Sequence, residues 1–293
     1  MLSLLDVLHL IGNYPFLLEW LRNRSLLRRN ASCSACGTPM TVQAEDVIDG
    51  YIFRCSNCYK KLSIRNGSFF SKSKLMISEI VLLIYLWASG VNLSSALKLL
   101  NINEHTGVDW YNFMREVCSF YLINNPIRLG GPGIVVNIDE SVVVKRKYNR
   151  GRHVPQRWVF GLYDVSKKVG YIEFVDRRDA NTLLPLIQQY VLPDSRIFSD
   201  GWAAYANISN LGYDHETVIH DVNFVDPDTG VHTNYVESYW SRVKRKLKHI
   251  YGSSPQILPS YLDEFMWRER FDIPSGQDAF DNILKHITLQ YPL

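Results

Sequence analysis

The spacing of hydrophobic residues changes once along the chain, near residue 125. Between residues 76 and 121, apolar residues recur every three or four positions, which is the period of an amphipathic helix. On the last of these segments the predicted apolar stripe is Trp110, Phe113, Val117 and Phe120. The pattern predicts helices at residues 77–88, 93–100 and 104–121, and a short helical region over residues 3–29.

Short runs of β-branched and aromatic residues follow a linker at residues 124–133 that is rich in proline and glycine. They predict strands at residues 134–139, 158–163, 170–175 and 196–198, and a helix at 182–191 precedes the last strand. Two later stretches, Thr233–Ile250 and Leu258–Arg270, predict helices that cover the sheet. Strands and helices mixed in this way indicate the α/β fold class.

Composition narrows the class of protein. The 293 residues are 46% hydrophobic and 21% charged, which is typical of a globular chain and excludes a disordered or fibrous one. The longest uncharged apolar stretch, Ile80 to Ala88, is far shorter than the roughly 20 residues that cross a bilayer. Asp6 and His9 interrupt the apolar N-terminus. We therefore expect neither a membrane-spanning nor a secreted protein.

Four of the five cysteines form two pairs with metal-binding spacing, Cys33-x-x-Cys36 and Cys55-x-x-Cys58. Two such turns present four thiolates to one tetrahedral zinc ion, so the sequence predicts a zinc ribbon with one Zn²⁺ per chain. Four thiolates leave no open position for a catalytic water, which makes the zinc structural. Disulfides are the less favoured alternative because the chain shows no secretory signal. Cys118 is expected to be a small buried hydrophobic residue.

The three helices after the ribbon resemble a helix-turn-helix module, because their connecting turns are short and contain glycine or asparagine. In such a module the third helix enters the major groove of DNA with polar residues near its start. These would be His105, Thr106 and Asp109. A structural three-helix bundle that contacts no DNA remains an open alternative.

Charge distribution says more than the formal net charge of +3. Two basic clusters lack acidic residues, one within residues 141–158 and one within residues 238–260. Such clusters suit a protein that holds a phosphate backbone, and two solvated faces are the alternative. The residues predicted to contact DNA phosphates are Lys145, Arg146, Lys147, Arg150, Arg152, Lys244 and Lys248.

Three carboxylates occupy positions at which they could meet. Asp139 ends the first predicted strand, Asp200 directly follows the strand at residues 196–198, and Glu237 lies on the helix that starts near Thr233. Carboxylates at the ends of adjacent strands can bind Mg²⁺, and two such ions can promote phosphodiester chemistry. Each residue taken alone could also be an ordinary turn or strand-end carboxylate.

Two neighbours of these carboxylates need separate interpretations. Successive side chains of a strand point to opposite faces, so Glu140 cannot share a metal site with Asp139 without a bulge. We therefore favour Asp139. Asn234 lies one turn before Glu237 and could either support the metal site or cap the helix.

The motifs Ile138-Asp139-Glu140-Ser141, Ser199-Asp200-Gly201-Trp202 and residues 232–240, followed by Lys244, resemble the Merlin superfamily of DDE transposases and its bacterial insertion-sequence relatives. With the zinc ribbon and the helix-turn-helix, the resemblance covers about residues 32–271. It implies a ribonuclease-H-like catalytic core, a DDE triad of Asp139, Asp200 and Glu237, and two Mg²⁺ or Mn²⁺ ions. It also implies cut-and-paste movement of an element with terminal inverted repeats.

The sequence thus predicts a DNA transposase that binds element ends and target DNA and assembles as a homodimer or higher homo-oligomer. It would act in the nucleus of a eukaryotic host or the cytoplasm of a bacterial one. The alternatives are a domesticated DNA-binding protein that no longer cuts and a ribonuclease-H-like nuclease. The predicted segments are an N-terminal helical region (1–30), the zinc ribbon (31–72), the helix-turn-helix (73–123), the catalytic domain (133–272) and a C-terminal segment (273–293).

Overall fold

The computed structural model describes residues 2–144, 156–218, 230–248, 256–271 and 278–293. The helices are α1 (Leu4–Gly12), α2 (Tyr14–Asn23), α3 (Ile77–Ala88), α4 (Leu93–Leu100), α5 (Glu104–Asn124), α6 (Ala180–Tyr190), α7 (Asn234–Lys248), α8 (Leu258–Phe271) and α9 (Ala279–Gln290). The strands are β1 (Met40–Ala44), β2 (Tyr51–Cys55), β3 (Lys61–Ser63), β4 (Val135–Val144), β5 (Arg157–Asp164), β6 (Val169–Val175), β7 (Arg196–Asp200) and β8 (Asp214–Val218). No described helix is long and apolar enough to cross a membrane.

The chain divides into two compact units, Met1–Tyr121 with Phe271–Leu293, and Leu122–Arg270. The first unit contains the three-stranded antiparallel sheet β1-β2-β3 and a group of helices around α3. Helix α3 contacts α1, α4 and α9, and it is buried on nearly all sides. A helix that is apolar all round must be central, which explains why the sequence pattern found it so readily.

The buried face of α5 is shifted from the predicted stripe. Trp110 and Val117 are buried as expected, but Phe113 is 40% exposed. Tyr111 takes part in the core instead, and its hydroxyl donates a hydrogen bond to the Val91 carbonyl oxygen at 2.8 Å. The prediction for Phe113 was wrong because spacing alone could not locate the turn before α4, against which Tyr111 packs. Cys118 is fully buried, as predicted.

A buried ion pair joins two loops of the ribbon and accepts a hydrogen bond from α2. The Arg65 guanidinium donates two hydrogen bonds to the Asp49 carboxylate, from Nε at 2.6 Å and from Nη2 at 2.5 Å. The Tyr14 hydroxyl donates to the same carboxylate at 2.9 Å. Both charged residues are almost completely buried. Removing one charged partner would leave an uncompensated buried charge, so the ion pair holds the two ribbon loops together. The Tyr14 hydrogen bond connects them to α2.

The second unit contains a five-stranded sheet in the order β6-β5-β4-β7-β8. Strands β4, β5 and β6 are antiparallel neighbours, whereas β7 is parallel to β4 and β8 is parallel to β7. The predicted α/β class is confirmed for this unit. The sequence analysis missed β8, which is polar at four of its five positions.

Alternating residues of the sheet form two cores. On one face, Ile138 and Phe160 belong to a buried cluster with Leu183 and Ile187 of α6. On the other face, Val159 packs with residues of α7 and α8. Because the two faces alternate residue by residue, β4 presents Asp139 on the α7 side and Glu140 on the α6 side.

Two glycines let α7 approach the sheet closely. A Cβ atom at Gly161 would lie 2.4 Å from Cζ2 of Trp240, and one at Gly170 would lie 2.5 Å from Cε1 of Tyr239. Both aromatic rings are buried. The rings therefore fill the space that side chains on β5 and β6 would otherwise occupy, and this contact sets the height of α7 above the sheet.

We predict that Gly161→Ala lowers the free energy of unfolding by about 2 kcal/mol, because the added methyl group overpacks the Trp240 ring. Denaturant unfolding measures the change. Gly12→Ala is the matched control, since its Cβ would meet no atom within 4 Å and alanine suits a helix. Equal stabilities for the two variants would show that α7 is not held by this contact.

Candidate active site

The four predicted zinc ligands lie together. The Sγ atoms of Cys33 and Cys58 are 3.4 Å apart, those of Cys36 and Cys55 are 3.4 Å apart, and those of Cys36 and Cys58 are 3.7 Å apart. Zn–S bonds of 2.3 Å in a tetrahedron require about 3.8 Å between sulfurs, and a disulfide would require about 2 Å. The spacing fits one zinc ion and excludes the disulfide alternative in this structure.

Both knuckles of the ribbon use the same backbone turn. Four residues after the first cysteine of each pair stands a residue with positive φ, Gly37 at 72° and Tyr59 at 58°. The amide of each donates to the carbonyl oxygen of that first cysteine, Cys33 at 2.8 Å and Cys55 at 3.1 Å. Hydrogen bonding to Thr38 lowers the pKa of Cys36 to about 6, which favours the thiolate form that a metal ligand needs.

Asp139 and Asp200 lie on adjacent parallel strands, β4 and β7. Burial and, to a smaller extent, the negative charges of Asp200 and Glu237 together raise the pKa of Asp139 to about 6, against the opposing effect of the Trp240 hydrogen bond. Three elements thus bring three carboxylates close enough to repel one another. The oxygens are more widely spread than the thiols, since only the cysteines among the described residues gather within 4.8 Å. Asp139 and Asp200 are partly buried and Glu237 is exposed. A divalent cation would relieve the repulsion among the three carboxylates.

Each carboxylate is oriented by a neighbouring group. Trp240 Nε1 donates to Asp139 Oδ2 at 2.9 Å, and the Trp202 amide donates to Asp200 Oδ1 at 3.1 Å. The buried Thr233 hydroxyl donates to Glu237 Oε1 at 3.1 Å. The sequence analysis identified none of these partners, because they depend on distant elements or on local turn geometry.

Glu140 projects to the opposite face of β4, as the alternation rule requires. Burial raises its pKa to about 7, opposed by the Tyr205 hydroxyl and by the positive charge of Arg178. Asn234 is the first residue of α7 and is exposed.

The basic residues of α7 divide into two groups. Lys244 and Lys248 are exposed, on the helix that carries Glu237. Arg242 instead donates to Glu269 at 2.8 Å, and Lys246 donates to the buried carboxylate of Glu264 at 3.1 Å. These two residues clamp α7 to α8. The basic segment at residues 145–152 lies outside the described residues.

Helices α4 and α5 approach each other closely next to the turn that connects them. Asn101 adopts a left-handed conformation, and a Cβ atom at Gly107 would lie 2.2 Å from Cδ2 of Leu97. His105 and Asp109 are exposed, and Thr106 is half-buried. The three residues are therefore on or near the surface of the first unit.

Comparisons with known proteins agree on one class. Residues 130–270 match the family described as the ISXO2-like transposase domain. An uncharacterized transposase-like protein of Haemophilus influenzae is 28% identical over 98 residues, which are 33% of this chain and 78% of that protein. These matches support a transposase, and the residues matched by the family lie in the unit that holds the three carboxylates.

Solved structures offer weaker similarities. The catalytic core domain of BIV integrase is 15% identical, with 54% of this chain and 97% of that chain covered and a TM-score of 0.34. The HTLV-2 integrase catalytic core domain in complex with magnesium is 14% identical, with 52% and 97% covered and a TM-score of 0.35.

We predict that the purified protein contains one zinc per chain and that Cys36→Ser or Cys58→Ser removes it and unfolds the ribbon. Each thiolate is one of four ligands, and structural zinc contributes roughly 10 kcal/mol or more to folding in small modules. Elemental analysis and circular dichroism provide the measurements. Cys118→Ala should keep its zinc. Absence of zinc from protein with all four thiols reduced would contradict the prediction.

Proposed function

We propose that this protein is a DNA transposase of the DDE class, which cleaves phosphodiester bonds at the ends of an element and joins the 3′ ends to target DNA. The observation that carries the proposal is geometric: Asp139 and Asp200 lie on the adjacent parallel strands β4 and β7, and Trp240, three residues after Glu237 on α7, donates a hydrogen bond to Asp139. Asp139 and Asp200 belong to a five-stranded mixed sheet with the order β6-β5-β4-β7-β8. Its strand order supports a ribonuclease-H-like core.

Asp139, Asp200 and Glu237 would hold two Mg²⁺ or Mn²⁺ ions, which activate the attacking oxygen and stabilise the leaving oxygen in phosphodiester chemistry. The protein's own contribution is to fix the three carboxylates. Trp240, Thr233 and the backbone amide of Trp202 hold them through hydrogen bonds. Water and a sugar hydroxyl are both suitable nucleophiles in such a site, because the protein mainly positions DNA.

Other parts of the chain would bind DNA. Lys244 and Lys248 would contact backbone phosphates beside Glu237, as would the basic segment that starts at Lys145. Helices α4 and α5 would act as a helix-turn-helix, with His105, Thr106 and Asp109 reading the terminal repeat. The zinc ribbon would be structural. Most contacts to phosphate carry no sequence information, so the helices would supply the preference for element ends.

The resemblance to the Merlin superfamily supports a cut-and-paste pathway in a homodimer or higher homo-oligomer. Two element ends must be joined to one target, and a symmetric assembly brings two sites together. Such an enzyme works where its DNA is, in the nucleus of a eukaryotic host or the cytoplasm of a bacterial one.

Asp139→Asn, Asp200→Asn and Glu237→Gln should each lower cleavage and joining by at least about a thousandfold, because each change removes a charged metal ligand. The assay follows a supercoiled plasmid that carries element ends, and gel-shift binding is measured alongside. End binding should be retained, since the carboxylates repel phosphate.

Glu140→Gln is the internal control and should be much milder, because Glu140 projects from the opposite face of β4. Full activity of any triad variant would remove that residue from the site. Binding without cleavage by the wild-type protein would favour a domesticated DNA-binding protein. Cleavage without joining would favour a nuclease.

Replacing both Lys244 and Lys248 with alanine should weaken binding to end and random DNA equally. It should flatten the slope of log affinity against log salt by about 1.8, since each lost duplex-phosphate contact contributes roughly 0.9. Lys285→Ala, at an exposed position on α9, should leave the slope unchanged. An unchanged slope in the double variant would show that this face of α7 does not hold DNA.

A further inference from the structure

An exposed tryptophan stands beside the candidate active site. Trp202 is 44% exposed and follows Asp200 by two residues. Its amide binds the Asp200 carboxylate, and its indole Nε1 donates to the Arg178 carbonyl oxygen at 3.0 Å. Both ends of the residue are therefore anchored, so the ring is held in place while much of its surface faces solvent.

Arg178 completes the arrangement. The centre of its guanidinium lies 3.7 Å from the Trp158 ring centroid and 5.3 Å from the Trp202 ring centroid. The stacking on Trp158 fixes the plane of the guanidinium. In the part of the chain that the structure describes, no ion pair involves this cation.

Trp202 and Arg178 lie at the same edge of the sheet as Asp200. The Trp202 amide donates a hydrogen bond to the Asp200 carboxylate, and the Trp202 indole donates one to the Arg178 carbonyl oxygen. A phosphate held by Asp139 and Asp200 would thus have a flat aromatic surface and a planar cation beside it.

An aromatic ring next to an arginine is suited to a nucleotide. Every nucleobase has a π face that can stack on tryptophan, and the guanidinium fork matches the geometry of a phosphate. A base inside a duplex already stacks on both faces, so only an unpaired or terminal base could use the ring.

We propose that Trp202 and Arg178 form a nucleotide subsite, in which an unpaired base next to the reacting phosphate stacks on Trp202 and an adjacent phosphate binds Arg178. This inference rests on the proposed transposase function and deepens it. It assigns to two residues a role in positioning the DNA end.

Photo-crosslinking tests the contact directly. The probe is a 20-base-pair duplex with a three-nucleotide 3′ overhang that carries one 5-iodouracil, incubated with the full-length protein and Ca²⁺. Irradiation joins this base to an aromatic ring that stacks on it, and peptide mass spectrometry identifies the ring. We expect Trp202. Tyr235, which is 45% exposed, is the matched aromatic that should not react.

Binding measurements test the energetic contribution. Trp202→Ala should lose about tenfold in affinity for the overhang probe and little for a blunt duplex, because only the overhang supplies a free base. Trp202→Phe should recover most of the loss, and Tyr235→Ala should bind as the wild type does. Arg178→Ala should weaken binding of the overhang probe but not of the same probe with a neutral methylphosphonate at the overhang phosphates.

The outcomes separate this inference from the proposed function. Triad-dependent cleavage combined with no crosslink to Trp202 and equal affinities of Trp202→Ala for both probes would overturn the subsite and leave the transposase standing. Cleavage that survives all three triad changes would overturn the proposed function, whereas a Trp202 crosslink with an overhang-specific loss would still support the subsite. Loss of affinity for overhang and blunt DNA alike would indicate a structural role for Trp202 and overturn the subsite.

Discussion

The arrangement of the candidate active site depends on one side chain, Trp240. Its ring occupies the place of a missing Cβ at Gly161, and its Nε1 donates to Asp139. Asp139 and Gly161 are partners in the β4–β5 ladder. The indole of Trp240 therefore lies over Gly161 and donates its hydrogen bond to Asp139 on the neighbouring strand. Backbone pairing fixes Asp139 and Asp200 on β4 and β7, but Glu237 is on a helix that only side chains hold. Trp240 lies three residues after Glu237 on α7, and its contact with the sheet holds Glu237 near the ends of β4 and β7.

Gathering three carboxylates opposes folding, and the structure shows where this repulsion is offset. Burial, together with the like charges of Asp200 and Glu237, raises the pKa of Asp139, which means that its charged form is less stable in the folded protein than in water. On the far side of α7, Arg242 and Lys246 pair with Glu269 and Glu264 of α8. These pairs are partly or well buried, so losing one partner would be costly. Ion pairs thereby hold α7 on the side that faces α8, while its opposite side carries the unfavourable negative charge of Glu237.

Sequence patterns located elements whose spacing is local, and they failed where a distant partner decides the outcome. The cysteine pairs, the apolar period of α3 and the β-branched run of β4 each carry their own signal. Arg242 and Lys246 belong to the basic cluster within residues 238–260, and a count of charges along the chain could not show that they pair with α8. Phe113 had seemed buried because aromatic spacing cannot show which face meets α3 and α4. The ion pair of Asp49 and Arg65 was not predicted, because the sequence around neither residue indicates that it is buried and paired. Strand β8 was missed because a polar strand can be held by backbone pairing alone.

Successive side chains of β4 face opposite sides of the sheet, so the polar groups at the sheet edge fall into two sets. Odd residues such as Asp139 face α7, whereas Glu140 faces α6, on the side where Trp158 packs. Arg178 stacks on Trp158 and therefore lies on the α6 side. Under the proposed function, the reacting phosphate would lie on the α7 side and the neighbouring base would turn over the edge toward Trp202. The DNA would have to bend sharply at this point, which a duplex resists but an unpaired end does not. This geometry would favour a frayed or processed end over continuous duplex without any contact to a base edge.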